Sequence, residues 1–247
     1  MAKALALLYA IAANLIFLLV YLYFIGFVGN VVVPKSIDSG TPGGIIAATL
    51  INLALLAVFA LQHSLMARAG FKRVLTQWLP PPIERATYVL ISSAVLALLC
   101  WQWRPLTVVI WQIDNRVLSV LLTALFGLGW GIGLIAAKAF DIFELFGLRQ
   151  VVANRQGATI MATPFATPGL YAFVRHPMMT GFLISFWATP TMTAGHLLFA
   201  LVMTIYICIA VKFFEERDLK KAFGEEYARY QREVPMLVPG RRPRTDH

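Results

Sequence analysis

The chain has 247 residues, of which 59% are hydrophobic and only 13% are charged, and its mean hydropathy is +0.73. A soluble domain carries about 25% charged residues, so the composition excludes an ordinary soluble protein and favours a membrane protein. The net charge of +9 raises nucleic-acid binding as an alternative, which the distribution of the charges argues against below.

Four stretches are long enough to cross a bilayer, which takes about 20 apolar residues in a helix. They are 4–34, 39–67, 86–103 and 117–137, and His63 is their one ionisable side chain apart from cysteine and tyrosine. A fifth stretch, 178–214, contains one Lys, one His and no carboxylate, and it is broken near Pro190 and Gly195. Backbone polar groups in lipid must pair within the protein, so these stretches should be helical.

We therefore predict an all-α integral membrane protein with five to six transmembrane helices, a C-terminal helical hairpin and a cytoplasmic cap. The whole chain, 1–247, reads as one membrane domain, with N-terminal helices in 1–137 and the hairpin and cap in 138–247.

The expected details follow in chain order. Helices should cover about 4–28 and 44–67, and a third should begin near Ile83, after an extended Pro80–Pro82 stop. A fourth should begin near Asn115 and pass Lys138. The long inner connection 141–175 suggests short extended pieces at Val151–Val152 and Thr159–Met161, and apolar residues at helical spacing predict an amphipathic helix over 215–230 that Pro235 stops.

The basic residues predict the orientation. With the N-terminus in the cytoplasm, only Lys35, Arg104 and Arg116 of the 21 Lys and Arg residues fall in outer loops, and the other 18 are inside. This is the positive-inside pattern, and a basic tail also suits an anionic inner leaflet. We expect a multi-pass protein of the bacterial inner membrane with both termini cytoplasmic, a lipid bilayer as its partner and no nucleic acid.

The cysteines and the N-terminus suggest no further chemistry. Cys100 and Cys208 both lie in apolar stretches, and no Cys-x-x-Cys pair or Cys/His cluster exists, so no metal site is expected. The N-terminal apolar run is too long for a signal peptide and reads as a retained first helix.

Arg175-His176-Pro177 stands at the start of the hairpin. Proline favours the first helical position, and a helix N-terminus with a neighbouring Arg is suited to an anion such as a carboxylate. Gly181 leaves room close to this helix start. The alternative is that Arg175 and His176 only mark the membrane interface.

Glu215-Glu216 follows His176 by 39 residues, the length that an out-and-back helical pair consumes, so both motifs should return to one membrane face. A carboxylate there is suited to an ammonium group or to ribose hydroxyls. The alternative is a solvated helix start, since acids favour the first helical turn.

Together these residues resemble the isoprenylcysteine carboxyl methyltransferases, with parts shared by phospholipid N-methyltransferases and NnrU-like proteins. The elements that match are Tyr171-x-x-x-Arg175-His176-Pro177, Gly181, Glu215-Glu216-x-x-Leu219, Phe223-Gly224-x-x-Tyr227-x-x-Tyr230 and Val234-Pro235. The resemblance implies S-adenosyl-L-methionine in a cytoplasm-facing pocket. The residues that it assigns to the cofactor are Tyr171, Val174, Arg175, His176, Pro177, Gly181, Glu215, Glu216 and Tyr227.

The rest of the chain is similar to the bacterial methanethiol S-methyltransferases. The matching elements are Gln62–Arg68, Pro82–Tyr88, Trp101–Pro105, Asp141–Gln150 and Phe186–Thr193. This resemblance implies methylation of a small thiol, methanethiol to dimethyl sulfide. The alternatives are methylation of an isoprenylcysteine or a lipid amine, or a non-enzymatic NnrU-like membrane protein; the oligomeric state is open.

The catalytic candidates are His63, Asp141 and Arg149. An ionisable residue within a membrane helix is a functional candidate by default, and a neutral imidazole is a suitable base near pH 7. Asp141 would orient His63 or act through water. The alternatives are a histidine that only hydrogen-bonds the third helix or Glu84, and a structural ion-pair cluster of Asp141, Glu144 and Arg149.

Overall fold

The computed structural model describes residues 1–139, 146–156 and 164–240, and this part of the chain is mainly helical. The helices are α1 (Ala2–Gly29), α2 (Ile45–Met66), α3 (Ala69–Leu75), α4 (Glu84–Gln102), α5 (Arg116–Ala139), α6 (Leu148–Gln156), α7 (Pro177–Trp187), α8 (Ala194–Ile209) and α9 (Glu216–Glu233). Short 3-10 turns form at Pro81–Ile83 and Gly169–Ala172, and a π-helical segment, Ala210–Glu215, joins α8 to α9.

Two short strands pair in an antiparallel ribbon that the sequence reasoning did not anticipate. Strand β1 (Val109–Gln112) pairs with β2 (Thr191–Thr193), and the register is irregular between Val109 and Trp111. Both strands lie next to Pro-containing loops at the ends of apolar helices.

Within the described residues, five helical stretches are long and apolar enough to cross a membrane: Ala2–Gly29, Ile45–Met66, Pro81–Gln102, Arg116–Ala139 and Ala194–Glu233. A shorter apolar helix covers Pro177–Trp187. Many large apolar side chains on these helices are exposed, as expected where lipid replaces water as the solvent. The predicted all-α membrane fold is confirmed.

The chain divides into two compact units by its contacts. The described part of the first unit is 1–112, 146–156 and 191–199, and that of the second is 113–139, 164–190 and 200–240. The expectation of a single membrane domain stays a prediction.

The first unit is built around α4, which packs on α1 and α2. Small residues let α6 lie against α1, in a core of Ala10, Ala13, Ala86 and Val151. The buried Asn52 side chain accepts a hydrogen bond from the Arg104 backbone N–H at 2.9 Å and donates one to the Arg104 carbonyl at 2.8 Å. Asn52 thereby satisfies both backbone groups of a residue just beyond the end of α4.

The second unit is organised by the close contact of α5 with α7. An added Cβ on Gly181 would lie 2.4 Å from the Gly129 carbonyl oxygen, and one on Gly129 would lie 2.4 Å from Ser185 Oγ. Glycine is therefore required on both helices, as is common where membrane helices approach closely.

Two local expectations were wrong, and one lies outside the described residues. Val151 and Val152 are in helix α6 rather than in an extended piece, because Val151 packs on the alanines of the first unit. Pro81 and Pro82 form a 3-10 turn that leads into α4, since proline is compatible with a first helical turn. The suggested extended piece Thr159–Met161 is among the residues that are not described.

Candidate functional site

Arg175 and His176 lie between the 3-10 turn Gly169–Ala172 and the start of α7, with Pro177 at the first helical position as expected. Both side chains are buried, 4% and 3% exposed. Glu216 begins α9 directly after the π-helical segment. All three belong to the second unit.

Arg175 and Glu216 form a buried ion pair across 41 residues of sequence. Arg175 Nε donates to Glu216 Oε1 at 2.7 Å, and Nη2 lies 2.5 Å from the same oxygen. Nη1 donates to the backbone carbonyls of Gln231 and Val234. All three guanidinium nitrogens therefore have protein partners, and Arg175 fixes the position of Glu216.

His176 lies between the two carboxylates of the acidic pair. Its Nδ1 is 3.4 Å from Glu215 Oε2, and its Nε2 is 3.4 Å from Glu216 Oε1. A neutral imidazole can donate from only one nitrogen, so this placement favours the imidazolium. Burial alone would lower the pKa of His176, but hydrogen bonds to Glu215 and Glu216 and their negative charges outweigh it and raise the pKa to about 9.

A strap of four residues after α9, Val234–Leu237, is bound along the Arg175–Thr180 segment. The backbone N–H of Arg175 donates to the Pro235 carbonyl at 2.9 Å, and the backbone N–H of His176 donates to the Met236 carbonyl at 3.1 Å. Thr180 Oγ1 donates to the Leu237 carbonyl at 2.6 Å. The strap thereby holds the site together from its C-terminal side.

Sequence reasoning missed Gln231 and Thr180. Gln231 Nε2 donates to Glu216 Oε2 at 3.1 Å, so each carboxylate oxygen has a partner. Gln231 lies at the i+4 position from Tyr227 on the helix, which is the one sequence signal that places it on the face of a predicted site residue.

Three more residues that the resemblance assigns to the cofactor lie in the second unit: Tyr171, Val174 and Tyr227. The Tyr171 hydroxyl donates to the Ala136 carbonyl of α5 at a long 3.4 Å, and burial raises its pKa. The Tyr227 hydroxyl is buried close to Arg175 and Glu216. Val174 is buried directly before Arg175.

The candidate catalytic histidine lies in the first unit. His63 is on α2, one turn from its end, and the Tyr88 hydroxyl of α4 is 3.1 Å from each of its ring nitrogens. The Phe59 ring stacks on the imidazole at 5.5 Å between centroids. Arg149 is half-buried on α6, and Asp141 lies outside the described residues, so the proposed link from Asp141 to His63 stays a prediction.

Gln62, next to His63 on α2, also forms a hydrogen bond to helix α4. Its Nε2 donates to Ser92 Oγ at 3.2 Å, four residues from Tyr88 on α4. Gln62–Ser92 and His63–Tyr88 therefore form two polar contacts along one seam between α2 and α4.

Residues 117–226 match the phospholipid methyltransferase family. This range contains nearly all of α5, together with α7, α8 and the Arg175–Glu216 pair.

The relatives specify the family further. The chain is 52% identical to methanethiol S-methyltransferase 2 of Bradyrhizobium diazoefficiens, over 96% of this chain and 91% of that protein. It is 51% identical to methanethiol S-methyltransferase of Mycobacterium tuberculosis, over 97% and 98%. It is also 29% identical to Nurim of Danio rerio, over 66% and 62%. No solved structure matches. The chain belongs to the methanethiol S-methyltransferase family.

Proposed function

We propose that this protein transfers a methyl group from S-adenosyl-L-methionine to methanethiol or a thiol of similar size, giving dimethyl sulfide. The observation that carries the proposal is about 50% identity to methanethiol S-methyltransferases over nearly the whole chain. The cofactor assignment is supported by a buried cluster of charged residues at the start of α7.

The residues of the second unit fit such a cofactor. S-adenosyl-L-methionine carries a carboxylate, an ammonium group, ribose hydroxyls and a sulfonium. The first turn of α7, next to the positive charge of the buried His176, suits the carboxylate. Glu215, whose side chain is 48% exposed, is the acid available to an ammonium group or to hydroxyls. The buried Tyr227 hydroxyl, close to Arg175, is a further polar group of this site.

Arg175 and Glu216 have a different role in this proposal. Because each guanidinium nitrogen contacts Glu216 or a backbone carbonyl, we propose that the pair sets the shape of the site and that Glu216 helps to hold His176 protonated. Val174, Pro177 and Gly181 contribute through backbone and packing, with Gly181 allowing α7 to approach α5.

The chemistry asks little of the protein beyond positioning. The cofactor supplies a methyl group that is already activated by the sulfonium. The protein must align the nucleophile and exclude water, and such positioning lowers a barrier by about 7–11 kcal/mol in favourable cases. A small thiol has a pKa above 7, so its proton must also be removed.

We propose that His63 accepts the thiol proton and that Tyr88 orients its ring. An imidazole is a suitable base for a thiol near neutral pH, and the Tyr88 hydroxyl faces both ring nitrogens. Asp141 and Arg149 remain candidate catalytic residues, and of the two only the carboxylate can accept a proton. An apolar volatile thiol would reach such a residue from the bilayer.

The test is binding followed by turnover. Purified protein in detergent should bind S-adenosyl-L-methionine in calorimetry, and cells fed methanethiol should release dimethyl sulfide into the headspace. His63→Ala should lower turnover by about 100-fold or more, the usual share of a general base, with cofactor affinity unchanged. Ser93→Ala is the control, because the Ser93 hydroxyl on α4 donates to the Val89 carbonyl of its own helix. Cofactor binding with turnover only on a prenylcysteine would contradict the substrate assignment.

A further inference from the structure

A cofactor with a sulfonium places a positive charge in a site that already holds two cationic side chains. Arg175 is paired with Glu216, and His176 is shared between Glu215 and Glu216, so the two carboxylates are largely balanced within the protein. With Glu215 assigned to the ammonium group, the sulfonium needs another source of negative potential. The faces of aromatic rings are one such source.

An aromatic cluster stands beside the ion pair. Phe165, which precedes the Gly169–Ala172 turn, contacts three rings of α9: Phe223 at 5.2 Å, Tyr230 at 5.4 Å and Tyr227 at 6.0 Å between centroids. The plane of the Phe165 ring makes angles of 88° with the Tyr227 ring and 68° with the Tyr230 ring. The rings are thus in direct contact and form a wall.

The wall is held in place by polar contacts to the site. The Tyr230 hydroxyl donates to the Tyr171 carbonyl at 2.6 Å, and Arg175 bonds the backbone of Gln231 next to it. Helix α9 bends at Gly224, where φ is +56°, so that Tyr227 and Tyr230 lie after the bend. Phe165 is only partly buried, whereas Tyr227 and Tyr230 are buried.

We propose that Phe165, supported by Tyr227 and Tyr230, provides the aromatic surface that recognises the sulfonium. The inference rests on the proposed function. It assigns Phe165 a role in distinguishing the charged methyl donor from its neutral thioether product, S-adenosylhomocysteine, because an aromatic face attracts a cation but gains little from the neutral sulfur. Preference for the donor over the product would ease product release.

The experiment compares the two ligands by calorimetry on the full-length protein in detergent. Phe165→Leu removes the ring and keeps an apolar side chain, so the Kd for S-adenosyl-L-methionine should rise by about three- to tenfold. The Kd for S-adenosylhomocysteine should stay within about twofold of wild type, since a twofold change is near 0.4 kcal/mol. The ratio of the two Kd values is the readout, and a purely structural role would leave it unchanged.

Two further variants keep the test decisive. Phe165→Trp retains an aromatic face and should preserve or raise the preference for the charged ligand, even if Phe165→Leu fails to fold. Phe182→Leu removes a ring that packs on Trp130 and Phe186 instead and should leave the ratio unchanged. Equal weakening of both ligands in Phe165→Leu, or loss of the preference in Phe165→Trp, overturns the inference. A wild-type protein that binds neither ligand overturns the proposed function as well.

Discussion

Glu216 is the residue through which the second unit joins its distant segments. Its carboxylate accepts hydrogen bonds from the Arg175 guanidinium and from the Gln231 side-chain amide, and it lies next to the His176 ring. A buried charge pair is a weak source of net stability, but removing one partner leaves the other charge buried and uncompensated.

The first prediction concerns this pair. Glu216→Gln keeps the shape of the side chain and removes its charge, so the variant should lose about 3 kcal/mol of stability. The thermal unfolding midpoint in detergent measures the loss. Glu225→Gln is the matched control, because Glu225 pairs with Arg232 at 2.8 Å on the surface, with side chains 81% and 64% exposed, and should be nearly neutral. Equal midpoints for the two variants would contradict the role of Glu216.

The second prediction concerns pH. The pKa of His176 is raised to about 9 in the folded protein, against about 6.5 for an unfolded histidine. Its stabilisation should therefore be complete below about pH 6.5 and be lost as the pH rises through about 9. The difference in thermal unfolding midpoint between wild type and His176→Gln should be largest at pH 6 and should become small by pH 10. A constant difference across this range would show that His176 is not held protonated.

At the scale of the elements, the helix–helix contact of α5 with α7 positions the start of α7 and with it Arg175 and His176. Gly129, Gly133 and Gly181 allow this approach, whereas an added Cβ on Gly127 or Gly131 of α5 would have no described atom within 4 Å. The repeated glycines of α5 are thus divided between one packed face and one open face.

The third prediction uses this division. Gly181→Ala should destabilise the protein by about 1–3 kcal/mol, the usual cost of overpacking, because its Cβ would lie 2.4 Å from the Gly129 carbonyl oxygen. Gly131→Ala should be neutral or slightly stabilising, since alanine is the better helix former. Thermal midpoints in detergent report both. If Gly131→Ala proved the more damaging change, the assignment of the packed face would be wrong.

Helix α9 shows how backbone irregularities build the site. A π-helical segment precedes Glu216, and π segments inside helices are frequent at functional sites. Gly224, at φ +56° and ψ −129°, then redirects the chain, a conformation open almost only to glycine. Together they bring Glu216 and Gln231 to the same guanidinium.

At the scale of the whole molecule, the basic bias predicts the orientation in the membrane. The fourth prediction is that reporters fused after residue 240 and near residue 38 lie on opposite sides of the bacterial inner membrane, with the C-terminal reporter cytoplasmic. A cytoplasmic phosphatase fusion is inactive and a periplasmic one is active, which gives the measurement. Removing positive charge from the inner loop by Arg68→Gln, Lys72→Gln and Arg73→Gln should weaken the preference. If both reporters lay on the same side of the membrane, the predicted topology would be wrong.

The sequence by itself determined the class and most of the helices. Uncharged stretches of about 20 residues leave the backbone no alternative to helix in lipid, so α1, α2, α4 and α5 begin and end within a few residues of the predicted positions. The motifs around Arg175 and Glu216 were enough to indicate the family, which the relatives confirm.

Only the tertiary structure decided what each polar residue contacts. The motifs indicated the pair Glu215–Glu216, but the sequence does not tell which of its two carboxylates is buried against Arg175. That outcome depends on the π-helical segment, the bend at Gly224 and the Val234–Leu237 strap, which bring together groups 41 to 59 residues apart. Local propensity carries no information on such distances, because these contacts exist only when packed helices hold both partners in place.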